Sequence, residues 1–223
     1  MTMRTARSRV PGVHEHSADL WIIRDYGLAR VENLLAVYDL ARKTLPANRG
    51  TPMSDILRSA VVFLHAVLEG SVRYIAGARL PEATEAVLND IPLAGMGRAT
   101  KFGLGSLVVH RGTSVNALLA ASVEAHLARE SFNSVTEILA MLQRCGVDTS
   151  KLRLRCAILD QMIQRRHKIV HEGDHVKDRK RWSQAPRELS RRQVEVWFRS
   201  VQDALSEMDD AFAPSMKGPS KEL

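Results

Sequence analysis

The 223-residue chain predicts an all-α fold, a helical bundle of about five to six main helices. Three observations point there. Apolar residues recur at three- and four-residue steps along most of the chain. Ser-x-x-Glu and Ser-x-x-Gln starts open two of the periodic segments, and no segment shows a convincing two-residue alternation. With 45% hydrophobic residues the chain can bury one core without disulfides or a structural metal.

The elements follow in order. From Ser17, a plausible N-cap, Leu20, Ile23, Leu28, Val31, Leu35 and Tyr38 mark a long first helix reaching Leu45, with Pro46 beyond its end. Thr51-Pro52 has the form of an N-cap followed by proline at the first helical position, opening a helix from Ser54 to about Ala76. That helix is apolar nearly all round and is expected to be central. Pro81 to Asp90 makes a short helix. Ile91 to Thr113, with glycines at 95, 97, 103, 105 and 112, reads as a long loop in which Leu107 to His110 could make a brief strand. Helical periodicity resumes from Ser114 to Glu130, and the Ser134/Glu137 capping box opens a helix that Gly146 closes. A further helix runs from about Ser150 to Gly173, Asp174 to Pro186 is a hydrophilic connection, and the last helix starts at Ser190 and ends by Pro214. The expected organisation is a flexible basic start at 1–16, one domain at 17–213 and a disordered tail at 214–223.

Charge is concentrated. Lys151 to Arg199 holds fourteen Lys and Arg against six Asp and Glu, a local +8 beside +7 for the whole chain, so the rest sums to −1. A localised positive field favours polyanions, of which a nucleic-acid backbone is the usual one, although a solvated basic face is the alternative. Cys145 and Cys156 form no CxxC pair, which excludes a zinc ribbon and suggests reduced thiols in the cytoplasm. Arg4, Arg7 and Arg9 are followed by His14, Glu15 and His16 rather than an apolar run, unlike a signal peptide. Ile56 to Leu68 is interrupted by Arg58, Ser59 and His65, so no membrane span is expected. Gly95-Met96-Gly97 and Gly103-Leu104-Gly105 match no phosphate-cradling spacing, and Lys101 lacks the following Ser or Thr of a P-loop.

The chemistry gathers in Arg165 to His175, where two guanidinium groups and three imidazoles fall at the end of a helix. His171-Glu172-Gly173-Asp174-His175 satisfies HExxH, the spacing of zinc hydrolases. Its glycine and aspartate weaken the helix where the second ligand must be held, and the same glycine weakens a His167/His171/His175 metal ladder. The competing motif is R-x4-H, Arg166-His167-Lys168-Ile169-Val170-His171.

Together with the central helix Leu57-Arg58-Ser59-Ala60-Val61-Val62-Phe63-Leu64-His65-Ala66-Val67-Leu68-Glu69-Gly70, that motif makes the chain resemble the HEPN superfamily, and more narrowly its RiboL-PSP type, over Ser17 to Phe212. The resemblance implies a helical bundle that dimerises with its R-x4-H motifs facing, and a metal-independent endoribonuclease that leaves a 2′,3′-cyclic phosphate and a 5′-hydroxyl. It implies Arg166 and His171 as the catalytic pair, with no cofactor. His167 stands where asparagine or aspartate is commoner, and Arg165 offers a second arginine at six steps from His171.

These residue types suit the reaction independently. Attack by a ribose 2′-hydroxyl needs a group that exchanges protons near neutrality, as imidazole does. The charge developing on the phosphoryl oxygens suits a planar guanidinium. On a regular helix residues five apart point about 140° away from each other, so either the helix loosens before Gly173 or a second subunit completes the site. Glu69 could tie down the active-site helix by an ion pair or backbone hydrogen bond, or stand exposed. Lys168, Lys177, Arg179, Lys180 and Arg181 are expected to contact RNA; Trp182 could stack on bases and Trp197 pack in the core. The partners expected are RNA and a second copy, with an antitoxin protein admissible and toxin or anti-phage roles open. The competing classes are a non-catalytic module binding RNA, a nucleotide or a protein, and a zinc hydrolase.

Overall fold

The computed structural model describes residues 13–44, 50–178 and 181–212. Eight helices and one hairpin appear among them: α1 (Val13–Thr44), α2 (Gly50–Arg79), α3 (Glu85–Leu88), α4 (Val115–Leu127), α5 (Val135–Arg144), α6 (Ser150–Arg153), α7 (Cys156–Glu172), β1 (His175–Asp178), β2 (Arg181–Pro186) and α8 (Arg191–Phe212). The architecture is the all-α bundle expected. Residues 13–16, expected in the flexible start, belong to α1; residues 1–12 and the tail at 214–223 lie outside the described residues.

Helix α2, expected to be apolar nearly all round, is central but keeps an outer side on which Asp55, Ser59, Phe63 and Ala66 stand exposed. Leu57, Val61, Leu64, Leu68, Val72 and Ile75, three or four residues apart, form one stripe along it and are wholly buried. It packs against α1, α4, α5, α7 and α8. By length and composition α2 could cross a membrane, and here most of its apolar residues are buried in the bundle while Phe63 stays 38% exposed. Removing each such leucine from water stabilises the fold by about 2 kcal/mol. Helix α1 approaches closely at Gly27, where an added Cβ would overlap Val67 of α2. Ion pairs tie α8 to its neighbours: Arg24 with Asp209, Arg191 with Asp39 at 3.4 Å, and Arg155 with Asp203 at 2.9 Å and Glu207 at 3.1 Å.

Local caps behave as their residues dictate. The Ser114 hydroxyl accepts from the Ala117 amide at 3.2 Å, and Ser134 and Glu137 form a reciprocal capping box. The Ser190 hydroxyl accepts from the Gln193 amide at 3.1 Å.

Four expectations need correction. Leu107 to His110 is not a strand but part of a 3-10 helix over Leu104–His110. The short helix at Pro81 to Asp90 divides into a 3-10 turn at Leu80–Glu82 and α3. The helix expected from Ser150 breaks into α6 and α7: the chain turns at Leu154, which stands 86% exposed, while Arg155 binds the carboxylates of α8. Finally, the hydrophilic connection contains an antiparallel hairpin, pairing His175 with Pro186, Lys177 with Trp182 and Asp178 with Arg181. A shift between His175 and Lys177 interrupts its register. Two short charged strands carry no apolar alternation, so nothing in their sequence distinguishes them from a loop.

Candidate active site at the end of helix α7

Helix α7 lays Leu159, Met162 and Ile163 into the core. Arg166 continues that stripe, three and four steps beyond them, and is half-buried, whereas His167 and His171 occupy a different, exposed face. Their rings lie one turn apart with centroids 4.6 Å from each other, tilted by 45°. The helix remains regular to Glu172 and stops at Gly173, whose φ of 60° is left-handed. The Gly173 and Asp174 amides both turn back to the Lys168 carbonyl, the second at 2.9 Å.

That ending decides two questions. HExxH requires both histidines on one helix, and here Gly173 and Asp174 are both left-handed while His175 begins β1, so the zinc reading of this pentapeptide fails on geometry. The three-histidine ladder ends with the same break. A helix that loosens before Gly173 is likewise not observed, so Arg166 and His171 of one chain stay about 140° apart.

Arg165 has a different environment from Arg166. Its Nη2 donates to Asp174 Oδ2 at 2.8 Å and to the carbonyls of Arg187 and Glu188 at 2.9 and 3.0 Å. The same carboxylate oxygen accepts from Arg58 Nε at 2.8 Å, and Arg58 Nη2 also reaches the Arg187 carbonyl at 2.9 Å. Arg58 Nη1 is held by Ser54 at 2.6 Å and Asp55 at 3.0 Å. Asp174 is 0% exposed, and its other oxygen is buried with no hydrogen-bond partner among the described residues. Arg165 is therefore committed to this buried cluster. Sequence reasoning missed both Asp174 and Arg58. The available signal was Arg58 itself, a cation in an otherwise apolar helix, which needs a buried anion.

Arg166 faces α2. Its charge acts on His65, which is buried and held below the ordinary histidine range first by that burial and further by Arg166; the Phe132 carbonyl and Glu69 act in the opposite sense. His65 Nε2 lies 2.9 Å from the Phe132 carbonyl, so this nitrogen carries the proton. The Arg166 Nε is buried with no hydrogen-bond partner among the described residues. Glu69 departs from both expected roles. It is neither fully exposed nor bonded to α7; it pairs on its own helix with Arg73 at 2.7 Å and faces His65 at 3.5 Å. Arg73 passes the restraint on to the Leu127 carbonyl and to the Glu130 carbonyl at 2.6 Å, so Glu69 supports the α4–α5 connection.

Residues 121–213 match the family model RiboL-PSP-HEPN. The match supports a HEPN-type domain. No curated protein and no solved structure matches the chain significantly. The matched span contains α5 to α8, the C-terminal half of α4 and the hairpin, and hence the whole Arg165–His175 stretch. Of the basic residues beyond the motif, Lys168 is half-buried on α7, Lys177 and Arg181 stand in β1 and β2, and Arg179 and Lys180 lie outside the described residues. Trp182 belongs to β2, whereas Trp197 is buried in the core.

Proposed function

We propose that the protein is a metal-independent endoribonuclease of HEPN type, acting as a homodimer whose site combines groups from both copies. The observation that carries this reading is the exposed His167–His171 pair at the end of α7, in the family-matched span and on the same helix as Arg166. An imidazole takes the proton of the ribose 2′-hydroxyl as its oxygen bonds to phosphorus. The bond to the 5′-oxygen breaks, a second imidazole returns a proton to that leaving oxygen, and the products are a 2′,3′-cyclic phosphate and a 5′-hydroxyl. His171 is the proposed base, the Arg166 guanidinium neutralises the phosphoryl oxygens, and the Lys151–Arg199 segment holds the backbone. The separation of Arg166 and His171 in one chain supports the dimer, because a two-fold axis can bring one copy's arginine to the other's histidine. The same separation favours one alternative, a non-catalytic RNA-binding module.

The test incubates wild type, His171→Ala and Arg166→Ala with mixed RNA, with and without EDTA, and reads the new ends. Cleavage that resists EDTA, leaves cyclic-phosphate ends and falls at least about a hundredfold in both variants is expected. Absence of cleavage by folded, dimeric wild type would leave the binding module standing. A toxin role predicts growth arrest by wild type and relief by Arg166→Ala.

A further inference from the structure

We propose that Asp174 is a positioning residue for RNA cleavage, locking the His171 end of α7 and the basic hairpin into one register on α2. This rests on the ribonuclease reading above. Asp174 stands at the only covalent link between the two parts, after the left-handed Gly173 and before β1, and is itself left-handed with a φ of 59°. Every polar group but one is engaged. Its amide turns back to the Lys168 carbonyl of α7 at 2.9 Å, and its carbonyl accepts from the Arg187 amide at 2.8 Å, closing the base of the hairpin. Its Oδ2 receives Arg165 of α7 and Arg58 of α2. The same two arginines hold the Arg187 carbonyl where the chain returns toward α8.

Both ends of the hairpin are thus fastened to α2, the central helix of the bundle. A fully buried carboxylate with two guanidinium groups on one oxygen defines direction as well as distance, since the forks are planar. The backbone carrying Lys177 and Arg181 then meets RNA in a fixed relation to His171, three positions before the lock. Loosening the lock leaves the grip on RNA but lets the reacting phosphate miss the imidazole, and small misplacements cost large factors in rate.

The experiment compares Asp174→Asn, whose shape and left-handed tolerance resemble aspartate, with Arg58→Lys, which keeps the charge and loses the fork. Each is assayed as the full chain, at a temperature where circular dichroism shows it folded. Single-turnover cleavage at saturating RNA is measured beside the affinity for the same RNA with a 2′-deoxy block at the cut site. Both variants should lose about tenfold or more in rate while affinity changes by less than about threefold, and amide exchange should rise across 175–186. A lock that serves folding alone would leave the folded variants cutting at the wild-type rate, which overturns the proposal while the ribonuclease reading stands. Wild type that cuts no RNA overturns both. Should Asp174→Asn not fold, Arg58→Lys decides by the same two numbers.

Discussion

At the scale of single residues, buried histidines make the fold sensitive to acid. Burial is the main reason His65 and His126 sit below the ordinary histidine range; at His126 Glu130 works against it and Arg144 and Arg129 with it. The folded chain therefore resists a proton that the unfolded chain accepts near pH 6.5. Stability contributed by these groups is complete above that pH and declines as pH falls below it toward the lowered folded values. Thermal unfolding should accordingly come earlier at pH 5 than at pH 7.5. In a His65→Gln variant, whose amide can still donate to the Phe132 carbonyl, the difference should shrink, and an unchanged difference would remove His65 from the account. Arg165 and Arg166 give a second residue-scale contrast, since neighbours in sequence have opposite duties. One is fixed by a buried carboxylate and two carbonyls, the other presents its charge toward His65.

Elements begin and end where local chemistry tells them to, and Gly173 is the most consequential end. Gly173→Ala should cost about 1–2 kcal/mol for a left-handed L-residue, plus a further loss because its Cβ would lie 3.0 Å from the His175 ring. Gly146→Ala is the control: its φ of 72° carries the same strain, but nothing lies within 4 Å of the added carbon. Equal falls in melting temperature would show that the His175 contact contributes nothing. The same locality explains what could be read from sequence. Ser134 and Ser190 announced their helices because a cap and its amide are three residues apart. The R-x4-H spacing and its place near a glycine were legible for the same reason. The different surroundings of Arg165 and Arg166 were not, because Arg165 is held by Asp174 together with Arg58, which lies 116 positions from that aspartate in sequence. Nor was the hairpin, whose pairing is carried by backbone groups common to every residue. The role of Glu69 was not legible either, because Arg73 on the same helix, one turn away, competes with any partner on α7.

For the whole molecule, the decisive fact is that α2 lies outside the family-matched span of 121–213 yet supplies the surface on which that span packs. Helix α7, with Leu159, Met162 and Ile163 buried, and α5, with Ile138 and Leu142 buried, both pack on it. The two portions of the chain therefore need each other more than they need their connection. That connection runs over the surface: Leu104 and Val109 are 85% and 84% exposed, and Gly95, Gly97 and Gly112 have open space around them. A protease that severs the chain near Leu104 should yield two bands on a denaturing gel but one particle of unchanged size in solution, while release of free fragments would show that the covalent link is required. An N-terminal piece ending near Gly103 and a C-terminal piece beginning near Gly105, made separately, should find each other through α2 and rebuild the bundle, so that assembly itself becomes a switch for whatever the end of α7 does.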